Sequence, residues 1–136
     1  MNLNTPQTLK ESLILIVDDD QAISALLRHL LEREGFRVKT MFDGLEAKEY
    51  IMSNQMQSAE MQPALVLLEM MLPSINGYDL LEHIRSTQAW ADVPVIVLSS
   101  LSQEDEIVRA LKLGANDYVS KPFRVNELLA RINRLI

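Results

Sequence analysis

The segment LILIVDDD at residues 13–20 joins five apolar residues directly to three aspartates. Its apolar part shows no polar alternation, which is typical of a strand buried on both faces, as in a parallel sheet. Two more runs of this kind follow, ALVLL at residues 64–68 and VPVIVL at residues 93–98. Together these runs predict the centre of a parallel sheet.

Two weaker strands and five helices complete the predicted pattern. FRVKTM at residues 36–41 and NDYV at residues 116–119 follow closely on glycines and read as short strands. In the fourth predicted helix, Ser102 is the expected N-cap and Asp105 a first-turn acid. Strands that alternate with helices predict right-handed βαβ units and a doubly wound α/β fold. The helices are expected at residues 21–34, 44–52, 77–85, 102–113 and 124–135.

The chain is expected to form one domain at residues 13–136, preceded by a flexible tail at residues 1–12. Its 136 residues suit a single core, with 48% hydrophobic and 24% charged residues. The polar segment SNQMQSAEMQ at residues 53–62 reads as a long loop. No apolar run reaches the roughly 18 residues of a membrane span, and the first ten residues lack the apolar stretch of a signal peptide.

Charge and cysteine content exclude several classes of protein. With 13 Lys and Arg against 19 Asp and Glu, the net charge is −6, and clustered cations for phosphate contacts are missing. We therefore expect no direct binding of nucleic acid. The absence of cysteine excludes disulfides, thiolate zinc sites and a cysteine nucleophile, and it suits a reducing cytoplasm.

Polar side chains follow the carboxyl ends of the predicted strands. Asp18 and Asp19 follow the first strand, Glu69 the third, Ser99 the fourth and Lys121 the fifth. Parallel strands bring these ends to one edge of the sheet, where α/β proteins bind ligands. Oxygen ligands without His or Cys favour Mg²⁺ or a similar ion. The ammonium and hydroxyl groups would flank an anion held against that metal, and a phosphoryl group is the natural candidate.

Each of these residues also has a purely structural explanation. Acids that follow a strand commonly cap the next helix, where the helix dipole favours them. A serine at a strand end commonly belongs to a turn, and a lysine before proline commonly lies on the surface. The order and spacing of all the strand ends together favour a functional site. His29 and His83 fall in predicted helices and are assigned no role.

Motifs at these strand ends make the chain recognisable. Together they resemble the receiver domain of two-component response regulators, over residues 12–136. The resemblance implies the flavodoxin-like fold, with five parallel strands in the order 2-1-3-4-5. It also implies a sensor histidine kinase or phosphotransfer protein as phosphoryl donor, and an output domain or target protein as recipient of the signal. The motifs are VDDD at residues 17–20, LVLLEMMLPSINGYDLL at 65–81, VIVLSS at 95–100 and GANDYVSKPF at 114–123.

The resemblance also implies roles for single residues. Asp18 and Asp19 would hold magnesium (Mg²⁺, or Mn²⁺), with Asp19 as the direct ligand. Glu69, at the phosphoacceptor position, and the backbone carbonyl of Met71 would complete the protein's share of the metal site.

The phosphoryl group and the switch would involve the remaining motif residues. Ser99 would supply the hydroxyl that interacts with the phosphoryl group, and Lys121 would be the lysine that pairs with the phosphoryl group. The bond from Lys121 to Pro122 is expected to be cis. Tyr118 matches the aromatic position that swings inward on activation.

Glu69 departs from the family pattern, in which this position is an aspartate. Glutamate is longer by one methylene, roughly 1.5 Å, and a misplacement of about 1 Å can cost on the order of a hundredfold in rate. We therefore expect poor phosphorylation. The charge of Glu69 imitates a phosphate only in part, since a phosphate carries about −1.5 to −2.

The glutamate has two possible origins. The intact remainder of the pocket favours an Asp-to-Glu replacement introduced into a phosphorylation site. The alternative is a natural atypical receiver that acts as a phosphorylation-independent interaction module. By the same resemblance, family members catalyse their own aspartyl phosphorylation and dephosphorylation, and we expect this chemistry to be impaired here. We expect the chain not to be an enzyme.

Two other functions fit the α/β pattern less well. An FMN-binding electron carrier needs a glycine- and hydroxyl-rich loop after the first strand, where the aspartates would repel an uncoordinated phosphate. A metal-dependent phosphatase with a carboxylate nucleophile would place that nucleophile after the first strand, and it would need a cap for which the chain has little room.

A partner surface is expected on the face formed by the predicted fourth helix, fifth strand and fifth helix. In the branch of the family with winged-helix outputs, salt bridges across this face join two receivers, and Asp117 and Arg131 match one such pair. Ile107 and Asn116 stand where charges are usual. A homodimer through this face is therefore one hypothesis. The other is that Glu127 and Arg131, four residues apart, only stabilise the fifth helix.

Overall fold

The structure is a computed structural model that describes residues 12–54 and 62–136. Its five strands form one parallel sheet in the order β2-β1-β3-β4-β5, which confirms the predicted fold class and strand order. The predicted tail lies outside the described residues except for residue 12, and so does most of the predicted loop at 53–62. The strands are β1 (Leu13–Val17), β2 (Arg37–Met41), β3 (Leu65–Leu68), β4 (Val95–Ser99) and β5 (Asp117–Ser120).

Helices cover both faces of the sheet. The second to fourth helices pack on one face and the first and fifth on the other. No helix in the described part of the chain is long and apolar enough to cross a membrane. The helices are α1 (Gln21–Arg33), α2 (Gly44–Asn54), α3 (Gly77–Ser86), α4 (Glu104–Lys112) and α5 (Val125–Leu135), with a short 3₁₀ helix at Gln88–Trp90.

Strand β1 is apolar without interruption because both of its faces are buried. Leu15 and Val17 point into the core under α2, α3 and α4, whereas Ile14 and Ile16 point into the core under α1 and α5. All of them are at most 1% exposed. Because each fully buried side chain of this size contributes about 1.5–3 kcal/mol, both sides of the strand must be apolar, and β1 therefore has no solvent face.

Helix α4 begins later than the sequence predicts. The first carbonyl that accepts helical hydrogen bonds is that of Gln103, from the amides of Glu106 and Ile107, at 3.1 Å each. Ser102 is therefore not the N-cap, and the side chain of Gln103 makes no capping bond. The predicted acids in the first turn are present, and they favour the positive end of the helix dipole.

Arg85 joins the end of α3 to the segments that flank β4 and β5. Its guanidinium donates to the carbonyls of Val93 at 2.7 Å and Gly114 at 2.8 and 3.0 Å, and to Oδ1 of Asn116 at 2.9 Å. The same Asn116 oxygen accepts from the amide of Val95 at 2.8 Å. The side-chain oxygen of the exposed residue Asn116 thus links α3 to β4 through Arg85 and Val95.

The loop between β3 and α3 contains a strained residue. Ser74 has a φ of +72°, in the left-handed region that is unfavourable for residues other than glycine. The β2–α2 connection packs tightly on this loop, where the amide of Gly44 donates to the carbonyl of Pro73 at 3.2 Å. A Cβ on Gly44 would collide with the backbone of Ile75, so this contact fixes the path of the loop.

We expect Ser74→Gly to raise the free energy of unfolding by about 0.5–1 kcal/mol, because glycine adopts a positive φ without a steric cost. Ser74→Val should lower it by more than about 1 kcal/mol, since a β-branched residue fits this conformation worst. Urea unfolding followed by circular dichroism measures both changes, with Ser74→Ala as the control that retains the strain. A glycine variant less stable than the parent would contradict the prediction.

Candidate functional site

An open cleft of about 470 Å³ lies at the carboxyl edge of the sheet. The parallel register aligns Val17 of β1 with Leu68 of β3, and Ser99 of β4 with Ser120 of β5. The residues that follow these positions therefore meet at one edge. The cleft is lined by Asp18, Asp19, Asp20, Ile23, Glu69, Met71, Ser100 and Lys121.

Lys121 bridges two buried carboxylates in this cleft. Its Nζ donates to Oδ2 of Asp18 at 2.6 Å and to Oε1 of Glu69 at 3.0 Å. The side chains are only 12%, 4% and 5% exposed for Lys121, Asp18 and Glu69. Because the contacts are shielded from water, they are stronger than surface ion pairs, and loss of the lysine would be costly since it would leave two buried carboxylates uncompensated.

Burial and hydrogen bonding shift the pKa values of Asp18 and Lys121 in opposite directions. Burial disfavours the charge of Asp18 and raises its pKa, although the hydrogen bonds from Lys121 and from the Asp20 amide lower it in part. For Lys121, burial opposes the charge, but the hydrogen bonds to Asp18 and Glu69 outweigh it and raise the pKa. The lysine is therefore the firmly charged partner of the bridge.

The second carboxylate oxygen of Glu69 is bound by the backbone. Oε2 accepts from the amide of Met70 at 2.7 Å and from the amide of Met71 at 3.1 Å. Gly77 closes the floor behind it, since its amide donates to the Met70 carbonyl at 2.8 Å and a Cβ there would meet the Glu69 carbonyl at 2.5 Å. Both oxygens of Glu69 are thus engaged inside the protein.

The aspartates after β1 have different environments. Oδ1 of Asp18 accepts from the amide of Asp20 at 2.9 Å, and Asp20 caps α1 through the amide of Ile23 at 3.1 Å. Asp19 is exposed at the cleft. Capping, the structural explanation for an acid after a strand, therefore applies to Asp20.

No three acidic or histidine side chains among the described residues are arranged to hold a metal ion. Asp18 and Glu69 instead share Lys121. The predicted ligand set of Asp18, Asp19, Glu69 and the Met71 carbonyl therefore stays a prediction, although these oxygen donors lie around one cleft and suit Mg²⁺ chemically.

The proposed switch residues lie below and beside the cleft. Ser99 is fully buried, and its Oγ accepts from the amide of Leu101 at 3.1 Å. Tyr118 is partly buried and donates its hydroxyl to the Leu101 carbonyl at 2.6 Å, and burial raises its pKa. The Lys121–Pro122 bond is cis, as expected.

Asp117, Glu127 and Arg131 pair with one another inside the chain. Arg131 donates to Asp117 at 2.9 Å and to Glu127 at 3.0 Å, and Arg134 lies 3.4 Å from Asp117. The contact between Glu127 and Arg131 is the helix-stabilising pair that their spacing predicts. Exposed pairs of this kind contribute little to stability.

Some contributors were not identified from the sequence. Ser100 lines the cleft, whereas the role was assigned to its neighbour Ser99; the pair SS at residues 99–100 was the available signal. Tyr78, which lies under Arg109 at 4.0 Å from ring centroid to guanidinium carbon, had no signal beyond its apolar helical position.

Asp18→Asn should leave the free energy of unfolding at pH 7 unchanged or raise it by up to about 1 kcal/mol. The pKa of Asp18 is raised above its ordinary 3.8 in the folded state, so its proton favours folding. That contribution is complete below pH 3.8 and is lost as the pH rises through the folded-state pKa. The variant keeps a neutral side chain at every pH, and Lys121 keeps Glu69 as its partner.

Urea unfolding at pH 7 measures this difference. Asp19→Asn is the matched control, because Asp19 is exposed, and it should change stability by less than about 0.5 kcal/mol. A loss of several kcal/mol in Asp18→Asn would show instead that this carboxylate is a structural anchor.

Comparison with known proteins agrees with this geometry. Residues 14–133 match the family model of the response regulator receiver domain. The chain is 37% identical over 123 residues to the DNA-binding dual master transcriptional regulator RpaA of Synechocystis sp., covering 90% of this chain and 48% of RpaA. It is 43% identical over 119 residues to the KDP operon transcriptional regulatory protein KdpE of Escherichia coli, covering 88% of this chain and 48% of KdpE.

The chain thus spans about half the length of these curated relatives. Among solved structures, it resembles the receiver domain of the sensor histidine kinase PA1611 from Pseudomonas aeruginosa, which has a magnesium ion coordinated in its active site cleft. The TM-score is 0.78 at 28% identity, over 91% of this chain and 96% of that one. The chain therefore belongs to the response regulator receiver domain family, the signal-receiving module of two-component systems.

Proposed function

We propose that this receiver domain is phosphorylation-deficient and that Glu69 acts in place of a phosphorylated acceptor as an incomplete mimic. The supporting observation is that both Glu69 oxygens are already bound. One accepts from Lys121 at 3.0 Å, and the other accepts from the Met70 and Met71 amides at 2.7 and 3.1 Å.

These contacts oppose phosphoryl transfer for two reasons. A nucleophilic oxygen must be free to approach the phosphorus in line, and the longer side chain already places the carboxylate about one bond length forward. In addition, Lys121 and the Met71 amide are donors that could stabilise phosphoryl oxygens, and the carboxylate itself uses them.

The same contacts support partial mimicry. Glu69 brings a negative charge to Lys121 without any phosphoryl donor, but one carboxylate carries less charge than the about −1.5 to −2 of a phosphate and has fewer acceptor oxygens. The domain would accordingly signal by binding rather than by turnover, and we propose no enzymatic activity toward an external substrate.

The proposed partners follow from the family. RpaA and KdpE are transcriptional regulators about twice as long as this chain, so we propose that this domain controls an output domain or a target protein. A sensor histidine kinase or phosphotransfer protein would be the upstream partner, and this domain would act in the cytoplasm. A homodimer through α4, β5 and α5 would require Arg131 to exchange its contact with Asp117 in the chain for one in the second copy.

The origin of Glu69 separates two versions of this proposal. If an aspartate was replaced, the rest of the machinery is competent and only the acceptor fails. In a natural atypical receiver, the domain would be a constitutive interaction module. The near-complete pocket around Asp18, Asp19, Ser99 and Lys121 favours the first version.

Glu69→Asp should restore phosphorylation. With Mg²⁺ and acetyl phosphate, this variant should gain one acid-stable, base-labile phosphoryl group, whereas the parent should gain roughly a hundredfold less per unit time. Adding Asp19→Ala should abolish the gain, because a metal ion must neutralise the incoming oxygens. Intact-mass spectrometry measures the adduct, and Glu49→Asp on the exposed side of α2 is the matched control.

No adduct on Glu69→Asp would contradict the proposal that the site is built for phosphorylation. An equally rapid adduct on the parent would contradict the deficiency assigned to Glu69.

A second proposal concerns the metal. Asp18, Asp19, Glu69 and the Met71 carbonyl would hold Mg²⁺ or Mn²⁺, which would neutralise phosphoryl oxygens when bound. Because Asp18 is bonded to Lys121 at 2.6 Å, the ion must compete with the ammonium, so binding should be weak.

Mn²⁺ titration followed by water proton relaxation should show saturable binding to the parent chain. Asp19→Ala should remove it, while Glu82→Ala, an exposed acid on α3 outside the cleft, should leave it unchanged. Glu69→Asp should bind more tightly, because the shorter carboxylate reaches Lys121 less well. Binding that is indifferent to Asp19 would refute the assigned ligands.

A further inference from the structure

Helix α4 contributes few buried side chains to the core. Of the nine residues Glu104–Lys112, Ala110 is the buried one. Its outer positions Val108 and Leu111 are 39% and 45% exposed. The position of α4 therefore depends on side chains that reach it from other elements.

Tyrosines from two elements make such contacts. From β5, the Tyr118 hydroxyl donates to the carbonyl of Leu101, in the segment that leads into α4, at 2.6 Å. From α3, the Tyr78 hydroxyl donates to the carbonyl of Glu106 in the first turn of α4 at 3.4 Å. The resemblance assigns a role to Tyr118, whereas Tyr78 has been assigned none.

Arg109 completes the contact between Tyr78 and α4. Its guanidinium carbon lies 4.0 Å from the centroid of the Tyr78 ring, well within the range of a cation–π interaction. Tyr78 is only 8% exposed, whereas Arg109 is an exposed residue, so the guanidinium of a surface side chain covers a largely buried ring.

The other end of Tyr78 is attached to the floor of the cleft. Its neighbour Gly77 donates to the Met70 carbonyl at 2.8 Å, and a Cβ on Gly77 would meet the carbonyl of Glu69 at 2.5 Å. Space at this point is so small that a movement of the β3–α3 loop must move the start of α3, and Tyr78 with it.

We propose that Tyr78 and Arg109 form a tether that holds α4 in place and links its position to the loop carrying Glu69. Tyr78 is a positioning residue: it contacts α4 on one side and, through Gly77, the floor of the cleft on the other. The tether is a property of the folded chain and does not rest on the phosphorylation state of Glu69.

Hydrogen exchange measured by mass spectrometry on the full chain, without metal or phosphoryl donor, tests the tether. Tyr78→Leu and Arg109→Gln should each speed amide exchange in residues 104–112 about fivefold, with smaller changes in the central strands. The double variant should exchange no faster than Tyr78→Leu alone, because both changes remove the same contact. Lys112→Gln, which removes another cation from α4, is the matched control.

Acceleration confined to α4 supports the tether. Exchange in α4 equal to that of Lys112→Gln, or acceleration spread evenly over β1, β3 and β4, would overturn it, since the latter is general destabilisation. If Tyr78→Leu fails to fold, Arg109→Gln alone carries the same comparison.

A second hydrogen-exchange experiment tests whether the position of α4 is linked to the loop that carries Glu69. Glu69→Asp shortens the side chain that accepts from Lys121 and from the Met70 and Met71 amides, and so alters its contacts at the β3–α3 loop. It should change exchange in residues 104–112 by more than twofold in the parent and by less than half of that change in Arg109→Gln. An equal response in both backgrounds, or none in either, would overturn the link. Because no phosphoryl donor is present, failure here is distinguishable from failure of the proposed phosphorylation chemistry.

Discussion

The pocket of this domain depends on one buried ammonium group between two buried carboxylates. Lys121 follows β5, Asp18 follows β1 and Glu69 follows β3, so the bridge ties together the ends of three strands. Without the lysine, two carboxylates that are about 95% buried would repel each other in a medium of low dielectric constant. With it, Lys121 remains firmly charged, and the cost of burial appears mainly as a raised pKa of Asp18.

The ion pairs of this bridge occupy groups that the proposed metal binding and phosphoryl transfer would also use. The contacts within the pocket are made by groups that a metal ion and a phosphoryl group would need. Glu69 increases the conflict, because its extra methylene lets one oxygen reach Lys121 while the other stays on the Met70 and Met71 amides. Both oxygens of Glu69 are already bound in the protein, and this is the observation on which the proposed phosphorylation deficiency and partial mimicry rest.

Helix α4 is held in the domain by contacts that are few and local. Helix α4 has one buried residue, and tyrosines from β5 and α3 hold it from two sides. The charges expected to join two receivers are in this chain paired internally, as Arg131 with Asp117 shows. Asn116 is an exposed residue whose side-chain oxygen accepts from Arg85 and from the Val95 amide within the chain.

Signals that are local in the chain predict the alternating α/β fold and most residues that line the cleft, whereas the strand order was implied by the resemblance to receiver domains. Uninterrupted apolar runs such as Leu13–Val17 specify strands buried on both faces, and the one unusual residue, Glu69, is visible as a single letter. The N-cap of α4 was predicted one residue too early, at Ser102 instead of Gln103, since a cap depends on which carbonyl first accepts a helical hydrogen bond. Only the tertiary structure decided that Lys121 binds Asp18, 103 residues away, together with Glu69. Contacts at such separations depend on how the side chains share a buried space, and neither spacing nor composition carries that information.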